Sequence, residues 1–115
     1  GGLSPLSPEA ALTLIPRNMK PEGEGYVWQT DPRLRHPSPL MMTEEQVLAS
    51  LSAIETRVLF VRADAGLLSY RKDLDKRADA IANLQIVNVP GGHHCHLDGE
   101  TGPAATAIRQ FLENE

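Results

Sequence analysis

Apolar residues recur at helical spacing in some stretches of this chain and form short unbroken runs in others, and the two patterns alternate. Val47, Leu48, Leu51 and Ile54 follow Thr43-Glu44-Glu45-Gln46, a sequence in which the Thr hydroxyl takes the N–H three residues on and the Gln reaches back, so a helix is expected from Glu44 to Glu55. Arg57 to Ala63 is a continuous β-favouring run of the kind covered on both faces, closed by Asp64-Ala65-Gly66. A second helix is expected from about Tyr70 to Ala82, with Leu74, Ala78 and Ile81 inward and Arg71, Lys72, Asp75, Lys76 and Asp79 on a solvated face. Leu84 to Val89 reads as the next strand, ended by a Pro90-Gly91-Gly92 turn. Gly102-Pro103 then opens a last helix to about Glu113 with Ala104, Ile108, Phe111 and Leu112 on one side. Strand, helix, strand with a crossover of this length implies a right-handed βαβ unit and parallel pairing.

The first 42 residues are patterned differently. Ser7-Pro8-Glu9 is a helix start, with Ser as cap, Pro at the first helical position and Glu in the first turn, so a short helix is expected from Pro8 to Ile15. Pro16, lacking an N–H, is expected to end or kink it. Pro21, Gly23, Gly25, Pro32, Pro37 and Pro39 then limit regular structure to an extended piece at Tyr26–Gln29 and a turn at Asp31-Pro32. The segment still carries Tyr26, Trp28, Leu40, Met41 and Met42, which suits an ordered loop packed over another surface.

The order helix, strand, helix, strand, helix describes one end of a layered α/β sheet. Two parallel strands leave two open edges, a poor independent domain. The chain is therefore expected to be the C-terminal part of a larger fold, with its open edges available to a missing N-terminal half or to a second copy.

Composition adds exclusions. The formal charge of −4, with no Lys/Arg block, argues against a nucleic-acid or anionic-membrane surface. No apolar run approaches the ~20 residues that cross a bilayer. Phe60, Phe111, Tyr26, Tyr70 and Trp28 are the only aromatic residues, so any core must be built mostly from Leu, Ile, Val and Ala. The single cysteine cannot form an internal disulfide, and a cytoplasmic location is expected.

The chemistry is concentrated in His93-His94-Cys95-His96, directly after the last strand. Open α/β sheets keep their sites beyond the carboxyl ends of the strands, and an imidazole titrating near neutrality can both take and return a proton. Any one of these histidines alone would read as part of a surface loop. In an extended loop His94 and His96 would point one way and His93 and Cys95 the other. A metal-binding module is the alternative, since imidazole and thiolate suit Zn, Cu or Ni, although four consecutive residues close a tetrahedron only with strain.

Val58-Leu59-Phe60-Val61-Arg62-Ala63-Asp64-Ala65-Gly66, the helix after it, Val87-Asn88-Val89-Pro90-Gly91-Gly92-His93-His94-Cys95-His96-Leu97-Asp98 and the closing helix together resemble the last third of an α/β-hydrolase-fold enzyme. The likeness is to the serine hydrolase-like, esterase, epoxide hydrolase and haloalkane dehalogenase side of that superfamily. It also covers Gly25–Leu34, which looks like the return from a helical cap. The resemblance implies a cap-derived helix and return loop over residues 1–42 and the C-terminal part of the core over 43–115. It implies that His93 is the catalytic histidine, with His94 the runner-up by adjacency, and an ester-like small-molecule substrate in the complete enzyme, with no cofactor or metal. For the acid, Ala63 stands at the Gly place of the family's Gly-x-x-Asp and Gly66 at the Asp place. Asp64, two residues early, either orients His93 or caps the strand end, and in some relatives the acid lies upstream of the cap. No G-x-S-x-G occurs in the 115 residues, and no Gly-rich oxyanion segment, so the polypeptide alone is not expected to hydrolyse esters. Self-association of a non-enzymatic remnant is the third reading.

Overall fold

A computed structural model describes residues 4–114 and divides them into two compact units, one of residues 4–5 and 42–114, the other Leu6–Met41. The split falls at Met41/Met42, and residues 4–5 group with residues 42–114 rather than with the segment that follows them.

In the larger unit the elements are α2 (Glu44–Ser52), β3 (Val58–Ala65), α3 (Leu74–Asp79), β4 (Leu84–Gly92) and α4 (Gly102–Glu113), and β3 and β4 pair in parallel. The Thr43 hydroxyl accepts from the Gln46 N–H and the Gln46 side chain accepts from the Thr43 N–H, the reciprocal cap that the sequence predicts. The helix stops at Ser52 rather than Glu55; the Ser50 and Ser52 hydroxyls already donate to the carbonyls of Gln46 and Leu48, four residues back. The second helix differs more. A 3-10 turn over Leu67–Tyr70 comes first, closed when Ser69 donates both its N–H and its hydroxyl to the Gly66 carbonyl. Extended backbone at Arg71 then separates it from a six-residue α3.

Both strands outrun their expected ends. β3 continues to Ala65 and β4 to Gly92, because the pairing resumes at Ala65↔Gly92 after a register shift. Pro90 and Gly91 together oppose Asp64, so the expected turn is a bulge, a place where proline's missing N–H takes no bond from the ladder. Gly91, at φ +108, supplies the backbone conformation that other residues avoid.

Ala63, Val89 and Cys95 form the core cluster, with Val61 and Val87 packed against it. α4 packs on β3 and β4 and buries Ala104 and Ala107, while α2 packs on α3. Arg77 of α3 meets Glu44 of α2 with its Nη2 2.6 Å from Oε2. The core is small: among the described residues no large side chain is fully buried, and Ile86 and Ile108 remain exposed. Among the described residues each strand has one partner, so each leaves an open edge.

In the smaller unit α1 (Pro8–Asn18) runs three residues past Ile15. Pro16 sits near its C-terminus, where it leaves only the Leu12 carbonyl without its N–H, and Asn18 Nδ2 and the Met19 N–H serve the carbonyls of Leu14 and Ile15. A strand absent from the sequence reading, β1 (Met19–Glu22), pairs antiparallel with β2 (Gly25–Trp28). Gly23 at φ +59 turns the two-residue loop, and Pro21 is tolerated because a two-stranded ribbon is all edge. Tyr26 and Trp28 are both exposed.

Candidate active site

The parallel strands β3 and β4 end side by side at Ala65 and Gly92, and the histidine segment begins at the next residue. It is a tight helical turn. The Cys95 N–H donates to the Gly92 carbonyl at 3.1 Å, and the N–H groups of Leu97 and Asp98 both donate to the His94 carbonyl, at 2.8 and 2.9 Å. The alternation expected of an extended loop is therefore replaced by helical geometry. The His93 and His94 rings meet edge-on with centroids 5.0 Å apart, and the His94 and His96 centroids are 6.1 Å apart.

This turn sorts the four residues. Cys95 is buried against Ala63 and Val89 and anchors the segment to the sheet. His93 and His96 are exposed, and His94 is half-buried. With the thiol turned into the core, the His-His-Cys-His set is not assembled around a common point, and no group of three or more His, Cys, Asp or Glu among the described residues could hold a metal ion.

His93 borders two concavities. One, about 460 Å³, is lined by Pro5, Ala65, Leu67 and Tyr70 together with His94, Asp98 and Gly99. The other, about 310 Å³, is floored by Phe60, Val61, Ala63 and Cys95, with Ala104 and Ile108 of α4. Asp98 comes beside the histidines because the helical turn folds it back over His94, a reading that needs the i, i+4 spacing of His94 and Asp98 rather than strand alternation. Its Oδ1 accepts the Gly99 N–H at 3.0 Å. Leu67 and Tyr70 are brought in by the 3-10 turn, where the sequence pattern suggests the start of a helix.

Asp64 is exposed and lies elsewhere. It lines a third concavity with Arg62, Ser69, Arg71, Asp75 and Asn88, a wall that does not include His93. In this third concavity Arg62 Nε donates to Asn88 Oδ1 at 2.8 Å and Nη1 lies 3.7 Å from Asp75. Gly66 is the residue that meets His93: a Cβ built on it would stand 3.8 Å from the His93 Cα and 3.3 Å from Ala63. The position that would hold an acid in a Gly-x-x-Asp pattern is thus next to His93, and it carries no side chain.

Comparison with known proteins gives one set of relatives. No family profile matches the chain. It is 37% identical over 109 residues to a Drosophila melanogaster protein named "Probable serine hydrolase", with 87% of this chain and 32% of that protein covered. It is 30% identical over 96 residues to a serine hydrolase-like protein of Dictyostelium discoideum, covering 78% of this chain and 26% of the relative. A hypothetical protein from Pseudomonas aeruginosa PAO1 superposes with a TM-score of 0.85 at 35% identity, over 98% of this chain and 40% of that one. The thioesterase domain from the curacin biosynthetic pathway superposes at 0.69 and 25% identity, over 93% of this chain and 38% of the domain. The chain spans about a third or less of the length of these curated relatives.

Proposed function

We propose that this chain, which is part of an α/β-hydrolase fold and similar to serine hydrolase-like proteins, supplies the catalytic histidine, His93, to a hydrolase whose nucleophile lies in the remainder of that fold. The observation that carries the reading is positional. His93 follows directly on the carboxyl end of a parallel strand, exposed between two concavities and held by a turn that is anchored through Cys95. An imidazole there can take the proton of an attacking hydroxyl and hand it to the leaving alcohol of an ester.

The nucleophile elbow and the oxyanion donors are to be supplied by the part of the fold that this chain does not contain, pairing along the open edge of β3. The apolar groove between α2, α3 and β3, lined by Val47, Leu51, Leu59, Leu74 and Ile81, is a surface for the same occupant. The acid that orients His93 is either Asp64, after a local rearrangement, or a carboxylate from upstream.

Reconstitution tests this. The 115-residue chain alone is expected to leave p-nitrophenyl acetate unhydrolysed above the background of free imidazole. Mixed with the N-terminal portion of one of the serine hydrolase-like relatives, it is expected to give turnover that falls by about 10³-fold or more in His93→Ala and is kept in His96→Ala. Turnover by the chain alone, or turnover of the mixture unaffected by His93→Ala, would overturn the assignment.

A further inference from the structure

Adjacent residues in a helical turn do not face each other, because each step rotates the side chain by about 100° around the axis, and in a strand they point to opposite faces. His93 and His94 converge all the same. Their ring centroids are 5.0 Å apart with the planes at 71°, an edge-to-face pair, and His94 meets His96 at 6.1 Å and 59°. The two rings are not equal partners. His94 is half-buried, its carbonyl accepts the N–H groups of Leu97 and Asp98 at 2.8 and 2.9 Å, and Cys95 next to it is buried in the core cluster. His93 is exposed, its imidazole takes part in no hydrogen bond among the described residues, and Gly66 beside it offers no side chain. The one ring contact that His93 makes among the described residues is with His94.

We propose that His94 is a positioning residue: its ring, held by the turn, packs edge-on with the His93 imidazole and keeps that imidazole in one χ1 rotamer. The proposal rests on the catalytic reading of His93 given above and adds what holds the base still where Gly66 supplies no acid. A general base acts only while it is within hydrogen-bond reach of the proton it takes. An imidazole without a neighbour spreads over three χ1 wells and a broad, two-fold χ2, so it occupies any one arrangement roughly a third to a sixth of the time. Loss of the His94 ring therefore costs about three- to sixfold in turnover, with substrate binding left as it was.

Three-bond couplings across χ1 of His93, measured in the isotopically labelled 115-residue chain, read the rotamer without catalysis. One rotamer is expected in the unaltered chain and in His94→Phe, which keeps a flat ring, and averaging over the wells in His94→Ala. His96→Ala should leave one rotamer, since His96 meets His94 and makes no ring contact with His93. Unmoved amide shifts of Cys95–Asp98 show that the turn persists. Where they move in His94→Ala, His94→Leu, which refills the half-buried position without a ring edge, is read in its place with the same expectation. In the reconstituted enzyme, kcat is expected to fall about three- to sixfold in that variant at unchanged KM and to return to within about twofold in His94→Phe. Averaged couplings in the unaltered chain or in His94→Phe, a single rotamer once the ring is removed, or an unchanged kcat would each overturn the positioning role. If such a result came with His93-dependent turnover, the role of His94 alone would fall. Loss of that dependence would remove the reading beneath it.

Discussion

Replacing Arg57, one residue before β3, is expected to loosen the far end of the chain. Its Nη1 donates to the Asn114 carbonyl at 2.6 Å and its Nη2 to the Phe111 carbonyl at 3.1 Å, and the guanidinium carbon stands 4.5 Å from the centre of the Phe111 ring. α4 has no basic residue in its own last turn, so this side chain from across the sequence is what answers the negative end of the helix. An exposed cation–π contact contributes about 0.5–1 kcal/mol and a cation at a helix C-terminus about 0.3–1 kcal/mol. The two hydrogen bonds, exposed to water, contribute about 0.5 kcal/mol each. One guanidinium makes all of these contacts, so they overlap, and Arg57→Ala is expected to cost about 1.5–2 kcal/mol. Arg57→Lys keeps the charge but loses the planar fork and the stacking, and should recover less than half of that. Urea unfolding followed by far-UV circular dichroism reads the difference as a lower midpoint at unchanged slope. A loss below about 0.5 kcal/mol in Arg57→Ala, or full recovery in Arg57→Lys, would refute the clamp.

Two further outcomes rest on other contacts. Gly91→Ala places a Cβ at φ +108 in the β4 bulge, with Cys95 Cβ 3.7 Å away, and is expected to cost about 1–2 kcal/mol and to move the amide resonances of His93–Asp98; unchanged spectra would show that the bulge does not set the turn. The Arg77 guanidinium, hydrogen-bonded to Glu44, holds that carboxyl below the ordinary carboxylate range, and Glu45 is held down by its own backbone N–H and then by the Thr43 hydroxyl. A depressed folded value means stability that is present above the unfolded pKa and lost as pH falls through the folded one, so the melting temperature should drop on going from about pH 5 to about pH 3. The drop should be smaller in Glu44→Gln, and an equal drop in both would remove the ion pair as its source.

Much of the chain's local order is set by residues close together in sequence. The Thr43–Gln46 cap, the Ser7-Pro8 helix start and the Gly102-Pro103 start of α4 all appear where side-chain chemistry places them. The parallel pairing of β3 and β4 follows from the spacing of two apolar runs around a crossover. Their lengths do not, because whether Pro90-Gly91-Gly92 is a turn or a bulge depends on whether Ala65 is there to pair with Gly92. Likewise β1 exists only because Met19–Glu22 meets Gly25–Trp28, and a four-residue piece containing a proline has no strand signal of its own.

The site divides in the same way. That His93 stands at a strand end is legible from the apolar run and the glycines before it, since these are local signals. That Cys95 faces the core, that Asp98 folds back beside the imidazoles and that Asp64 lines a different concavity are decided by the turn's hydrogen bonds to Gly92 and His94 and by the bulge opposite Asp64. Sequence determined which residues are near one another along the backbone. Only the tertiary structure decided which faces they share, because a one-residue change from extended to helical spacing rotates every later side chain by about 80°.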